Sequence, residues 1–261
     1  METLRIAAVQ PDILWEKPDE NLGRMEKLLN ELQDVDMILF PETFLSGYTM
    51  NSRRLAEPRG ARAETFLKKL AEAKKAAVGG GWIQENGEKA PLNTFSFFFP
   101  NGEVKHYLKN HPFSFVGEEK FYTAGEELCC FDYKGFSLSL LICYDLRFPE
   151  IFRRSAGQTD LYLLIANWPD ERIEHWDTLL KARAIENQAF VLGVNRVGNT
   201  GKRNVKNFPG HTSLYDPFGK NLIQDTGREE IFIVEISKET LQFYRNKFPF
   251  LKDRKPVHNP W

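Results

Sequence analysis

Two hydrophobic rhythms alternate along the 261 residues. Short apolar runs bounded by turn-forming residues predict strands at LRIAAVQ (4–10), VDMILF (35–40), AAVGGGWIQ (76–84), LNTFSFFFP (92–100), EVKHYLK (103–109), FSLSLLIC (136–143), LYLLIAN (161–167), AFVLGVNR (189–196), HTSLYDP (211–217) and EIFIVEI (230–236). The pair at 92–100 and 103–109 is joined through Pro-Asn-Gly, a hairpin signal. Between these runs the spacing turns helical. Leu22, Met25, Leu28, Leu29 and Leu32 share a face across 20–32, and further helices are expected over 63–77, 147–157 and 175–188. Strands that alternate with helices argue for an α/β fold, and the hairpin segments argue for mixed sheets. No repeat, low-complexity stretch or interdomain linker interrupts the series, so residues 1–261 read as a single domain. The segment 199–209 is polar and reads as a mobile loop. Residues 242–261 are rich in Pro, Phe and Lys, too aromatic for a free tail, and are expected to dock onto the body.

Composition narrows the partners. A formal net charge of −1 and the lack of any basic stripe argue against nucleic acid. No apolar stretch is long enough to cross a bilayer, and the N-terminus lacks the basic segment and apolar core of a signal peptide. Cys129, Cys130 and Cys143 form an odd set with two adjacent members, a poor disulfide framework that fits a reducing cytoplasm. The Cys129-Cys130 pair reads better as part of a partly exposed strand than as a redox element. Gly79-Gly80-Gly81 lacks the lysine and serine of a phosphate loop, and reads as a strand that needs close backbone approach.

Three reactive side chains sit where apolar strands stop: Glu42, Lys109 and Cys143. Strand C-terminal ends are where open α/β sheets bind ligands. A thiolate attacks a carboxamide or nitrile carbon, a nearby carboxylate moves the proton, and an ammonium holds the developing oxyanion together with a backbone N–H. None of these steps calls for a metal or cofactor, and the five histidines show no zinc-ligand spacing with the cysteines. A cysteine–histidine pair is the alternative on residue types alone.

LFPETFLSGY (39–48), YLKNHPF (107–113) and ICYDLRFPE (142–150) together resemble the nitrilase superfamily of carbon–nitrogen hydrolases. IANWP (165–169), residues 175–198 and GHTSLYDPFG (210–219) extend the resemblance over nearly the whole chain. The resemblance implies a four-layer αββα sandwich of two mixed sheets. It implies pairing of two copies through the helix after Cys143 and helix 175–188, as a homodimer or a higher homo-oligomer. It also implies Glu42 as general base, Lys109 as oxyanion stabiliser and Cys143 as nucleophile. A second glutamate is either Glu118 or Glu119; the distance to the Ala124-Gly125 turn favours Glu118.

Within the superfamily, the segments around Asn167 and the tail 243–256 resemble bacterial omega-amidases. That implies hydrolysis of the terminal amide of 2-oxoglutaramate or 2-oxosuccinamate. The rivals are an N-carbamoyl-amine hydrolase, a deaminated-glutathione amidase, a nitrilase and, from another class, a non-catalytic interaction module. A 2-oxo acid needs a cationic or donor-rich pocket end. Arg147, Arg172 and His175 are the candidates, with Tyr144, Trp168 and Phe113 as further lining. Phe44 and Phe115 are placed to narrow the site or simply to pack. An ion pair of Arg147 with Asp145 or Glu150 is the competing reading for that arginine.

Overall fold

The computed structural model describes residues 2–200 and 205–255. Parts of the expected loop (201–204) and tail (256–261) lie outside the described residues. In chain order the regular elements are β1 (Thr3–Gln10), α1 (Pro18–Leu28), β2 (Met37–Leu39), α2 (Ser52–Leu55), α3 (Arg62–Lys74), β3 (Ala77–Gln84), β4 (Leu92–Phe98), β5 (Val104–Leu108), β6 (Cys130–Tyr133), β7 (Phe136–Ile142), α4 (Pro149–Arg153), β8 (Leu161–Ile165), α5 (Ile173–Asn187), β9 (Phe190–Val194), β10 (Val197–Asn199), β11 (Asn207–Pro209), β12 (Ser213–Tyr215), β13 (Glu230–Ser237) and α6 (Lys238–Lys247).

Both large sheets are mixed. The first runs β13-β1-β2-β3-β4-β5 and the second β12-β9-β8-β7-β6. Side-chain alternation along single strands creates the layers. In β1, Leu4, Ile6 and Ala8 join a core shared with β7, β8 and β9 of the second sheet. Ala7 and Val9 of the same strand face Met25 and Leu29 of the α1 region and Phe66, Leu67 and Ala71 of α3. On the far side of the second sheet, Ile151 and Phe152 of α4 and Trp176, Leu180 and Ala184 of α5 complete the shared core. The order is therefore helix, sheet, sheet, helix, the αββα sandwich.

Strand directions then decide where reactive ends meet. β2 is parallel to β3, β3 antiparallel to β4, and β4 antiparallel to β5. β2 and β5 consequently run the same way and release the chain at the same edge. β7 and β8 are parallel neighbours in the facing sheet.

The glycine run is explained by packing. A Cβ on Gly79 would meet Phe95, Leu39 and Phe97 at 2.8–3.0 Å, and one on Gly81 would sit 2.7 Å from the Glu42 Cα. Gly81 donates its N–H to Pro41 O at 3.1 Å and accepts from Phe44 N at 3.0 Å, so β3 grips the loop that carries Glu42. Gly81→Ala is expected to cost roughly 1–3 kcal/mol through overpacking. With Glu42 as the general base that the resemblance implies, displacing it by even an ångström is expected to lower turnover about 10²-fold. Denaturant unfolding set beside initial rates checks whether activity falls further than stability does.

Several expectations change. The segment 199–209 is flanked by a short antiparallel ribbon, β10 with β11, whose three residue pairs give too little alternation to read from sequence. The helix expected over 147–157 is a 3-10 turn at Cys143–Arg147 followed by the short α4, because Pro149 takes the first helical turn. α6 begins at Lys238, where only a tail from 242 was anticipated. Its cap is the Ser237 side chain. Just before the expected tail Leu241 is fully buried; within it Arg245 donates to Asp160 Oδ1 at 2.8 Å and to Gln188 O at 2.9 Å, while Phe243 and Phe250 are exposed.

Candidate active site

β2, β5, β7 and β8 deliver Glu42, Lys109, Cys143 and Asn167 just past their last residues. Lys109 Nζ lies 3.1 Å from Glu42 Oε1 and 3.0 Å from both oxygens of Glu118. All three side chains are buried. An ammonium held between two carboxylates offsets much of their desolvation cost. Burial alone works to lower the Lys109 pKa, but Glu118 and Glu42 overrule it and hold the ammonium well above its ordinary value. Of the two adjacent glutamates, Glu118 is the one that contacts Lys109. Glu118 is fully buried on the lysine and accepts the Phe113 N–H, whereas Glu119 points to solvent.

Glu42 is fixed from three sides. Asn93 Nδ2 donates to Oε1 at 2.7 Å, Asn167 N donates to Oε2 at 3.0 Å, and Asn167 Nδ2 donates to the Glu42 carbonyl at 2.6 Å. Cys143 sits on a sharp elbow with φ of +47°, a conformation that L residues adopt at a cost. Asp145 holds that elbow. Its buried carboxylate accepts from Ile142 N (2.9 Å), Tyr107 Oη (2.7 Å) and His111 N (3.0 Å). Tyr107 lies two residues before Lys109, so one carboxylate ties the nucleophile's elbow to the lysine's strand. Burial, and after it the Glu42 carboxylate, push the Cys143 thiol well above its ordinary pKa, against the opposing pull of Lys109 and of the Asn167 N–H.

These residues open onto a cavity of about 340 Å³ lined by Lys109, Cys143, Asn167, Tyr48, Phe113, Tyr144, Arg147, Trp168, Arg172 and Lys206, among others. Its charged lining residues, among those described, are all cationic: Lys109, Arg147, Arg172 and Lys206. Arg172 and Lys206 share Glu171. Arg147 does not pair with Asp145 or Glu150. Its guanidinium lies over Trp168 (5.0 Å) and Tyr144 (6.0 Å) and meets His175 Nδ1 at 3.1 Å.

Most of the residues proposed from sequence converge here. Among the described residues His175 does not line the cavity; it is exposed near the start of α5 and its side chain hydrogen-bonds Arg147. Phe44 is buried in the outer core against Phe40 and Phe66, and Phe115 is 82% exposed beyond Phe113. Sequence reasoning passed over Tyr48, Asn93, Asn167 and Asp145 as site residues. For Asn93 a signal existed: a carboxamide at a buried position inside an otherwise apolar run. The Tyr48 hydroxyl is buried without a hydrogen-bond partner among the described residues.

The carbon-nitrogen hydrolase family matches residues 5–246. The chain belongs to that family. It is 36% identical over 254 residues to the omega-amidase YafV of Yersinia enterocolitica, covering 97% of each chain. It is 33% identical over 252 residues to the 2-oxoglutaramate amidase of Bacillus subtilis, covering 95% of this chain and 96% of that one. Among solved structures, a CN-hydrolase superfamily protein from Xanthomonas campestris with an arsenic adduct in its active site superposes with a TM-score of 0.94 at 33% identity. The match covers 98% of this chain and 99% of that one.

Proposed function

We propose that the protein is an omega-amidase that hydrolyses the terminal amide of 2-oxoglutaramate or 2-oxosuccinamate to the 2-oxo acid and ammonia. The observation that carries this reading is a buried carboxylate–ammonium pair beside a thiol, opening onto a cavity whose charged walls are cationic. The curated relatives named for this activity support it.

Cys143 is the nucleophile. Its raised pKa means that the resting group is a thiol, so attack on the amide carbon needs a base. Glu42 takes the thiol proton as the sulfur–carbon bond forms and passes it to the nitrogen as the carbon–nitrogen bond breaks. Lys109 and the backbone N–H after the nucleophile hold the oxyanion. Ammonia leaves a thioester. Glu42 then activates water, which releases the acid and restores the thiol. Glu118 keeps Lys109 charged and aimed.

Arg147, half-buried and without a carboxylate partner among the described residues, receives the substrate carboxylate, and Arg172 supports it from the cavity rim. Tyr144, Phe113 and Trp168 form the walls, with His175 steadying Arg147. Arg147→Met is expected to raise KM for 2-oxoglutaramate by about 10–100-fold, the range for a charged hydrogen bond. Hydrolysis of an uncharged amide such as butyramide is expected to change little. Equal losses on both would show that Arg147 only braces the elbow.

The activity itself is tested by ammonia release from a panel. Turnover of 2-oxoglutaramate far above that of N-carbamoyl amines and nitriles supports the omega-amidase; the reverse order assigns the chain to another amidase of the family. The protein works as a homodimer in a reducing cytoplasm, in which its three cysteines stay free. Pairing runs across α4 and α5, where Ile185 is 45% exposed. Sedimentation of an Ile185→Glu variant tests that face.

A further inference from the structure

Asn167 has an atom that the scheme above does not use. The residue is 5% exposed and forms part of the cavity wall. Its Nδ2 donates to the Glu42 carbonyl at 2.6 Å and to Thr43 Oγ1 at 3.0 Å. A carbonyl oxygen can only accept, so the carboxamide is fixed with nitrogen towards Glu42 and oxygen on the opposite side. That oxygen, Oδ1, is buried and has no hydrogen-bond partner among the described residues. An unpartnered buried acceptor is costly unless a ligand satisfies it.

The scissile nitrogen must lie within hydrogen-bond reach of the Glu42 carboxylate to receive its proton. Asn167 wraps that same carboxylate, with N 3.0 Å and Nδ2 3.5 Å from Oε2. A primary amide nitrogen carries two hydrogens. One is satisfied by Glu42, and the other needs a second acceptor.

We propose that Asn167 Oδ1 accepts a hydrogen bond from the substrate's amide NH2, and that this contact selects amides over esters of the same acid. The proposal rests on the amidase reading. When the thiol proton has passed through Glu42 to the nitrogen, the departing group carries three hydrogens. The contact then strengthens as the carbon–nitrogen electron pair withdraws to nitrogen and ammonia leaves. An ester presents only lone pairs at that position, and these face Oδ1 unfavourably.

The test compares kcat/KM for 2-oxoglutaramate and for the 5-methyl ester of 2-oxoglutarate in the wild type, Asn167→Ala and Asn93→Ala. Asn93→Ala removes a different Glu42 contact and so measures how far a loosened base alone shifts the amide-to-ester ratio. The ratio is expected to fall about 10- to 100-fold further in Asn167→Ala than in Asn93→Ala, the range for deleting a hydrogen bond to a buried partner. Equal shifts in the two variants overturn the assignment while leaving the amidase reading intact. A wild type inert towards the amide sinks that reading and this one with it. If Asn167→Ala does not fold, Thr43→Val, which releases one anchor of the carboxamide, decides. A several-fold drop in the ratio supports the contact, and an unchanged ratio refutes it.

Discussion

Glutamine in place of Glu42 is expected to reduce ammonia release about 10²–10⁴-fold, the span for a general acid–base group, while leaving Cys143 easier to alkylate. The two effects have opposite signs because Glu42 plays two opposing parts. In the resting site its negative charge, after burial, is the largest influence keeping the thiol protonated. In the proposed mechanism the same carboxylate is the acceptor that lets the sulfur attack. Glutamine occupies the same volume and removes the charge. Thiolate formation beside a neutral amide is less opposed, so the Cys143 pKa falls, and at a fixed pH just above neutral iodoacetamide is expected to label the variant faster than the wild type. Hydrolysis nevertheless fails, because no group remains to protonate the leaving nitrogen. Cys143→Ala sets the floor for both assays, with no labelling at this position and no thioester. Mass spectrometry of labelled protein against time, alongside ammonia release, checks both halves. Slower labelling in the glutamine variant would mean that Glu42 already draws the proton from the resting thiol.

What could be read from the sequence follows from how each signal is encoded. Glu42, Lys109 and Cys143 stand at the ends of apolar runs, and one-dimensional order therefore carries their positions. The choice between Glu118 and Glu119 is of another kind. The 3-10 turn at Glu118–Lys120 sends successive side chains in different directions, and Gly117 at φ of +77° sets which one turns inward. Two adjacent glutamates do not record that rotation themselves; only the distance to the Ala124-Gly125 turn pointed to Glu118. Asp145 looked like a partner for Arg147, four residues after the thiol. Its real partners, Tyr107 and His111, come from another strand's end, a contact made only when the two sheets face each other. His175 lies within one turn of the start of α5, and its neighbour Trp176 takes the buried face, which leaves the histidine outward. Asn167 was legible as part of a turn, but its hold on Glu42 spans 125 residues of chain. Sequence marks the reactive groups more readily than the groups that aim them.

Methionine at Lys109 separates the aiming role from the chemical one. The ammonium is 2% exposed and lies within 3.1 Å of Glu42 and 3.0 Å of Glu118. Methionine fills similar space but leaves two buried carboxylates facing each other. Loss of one partner from a buried ion cluster typically costs about 3–5 kcal/mol. That corresponds to a melting temperature lower by roughly 6–20 °C for a chain of this size class. Loss of an oxyanion donor independently costs about 10²–10³ in kcat. The double variant Lys109→Met with Glu118→Gln removes the charge surplus without restoring the donor. Its melting temperature is expected to recover most of the loss, while its rate stays at the level of the single variant. Thermal melts of the wild type and both variants, with ammonia release measured on the same samples, test the account. A double variant that regains activity along with stability would mean that Lys109 serves only to neutralise the two glutamates, and that the oxyanion is held by other groups.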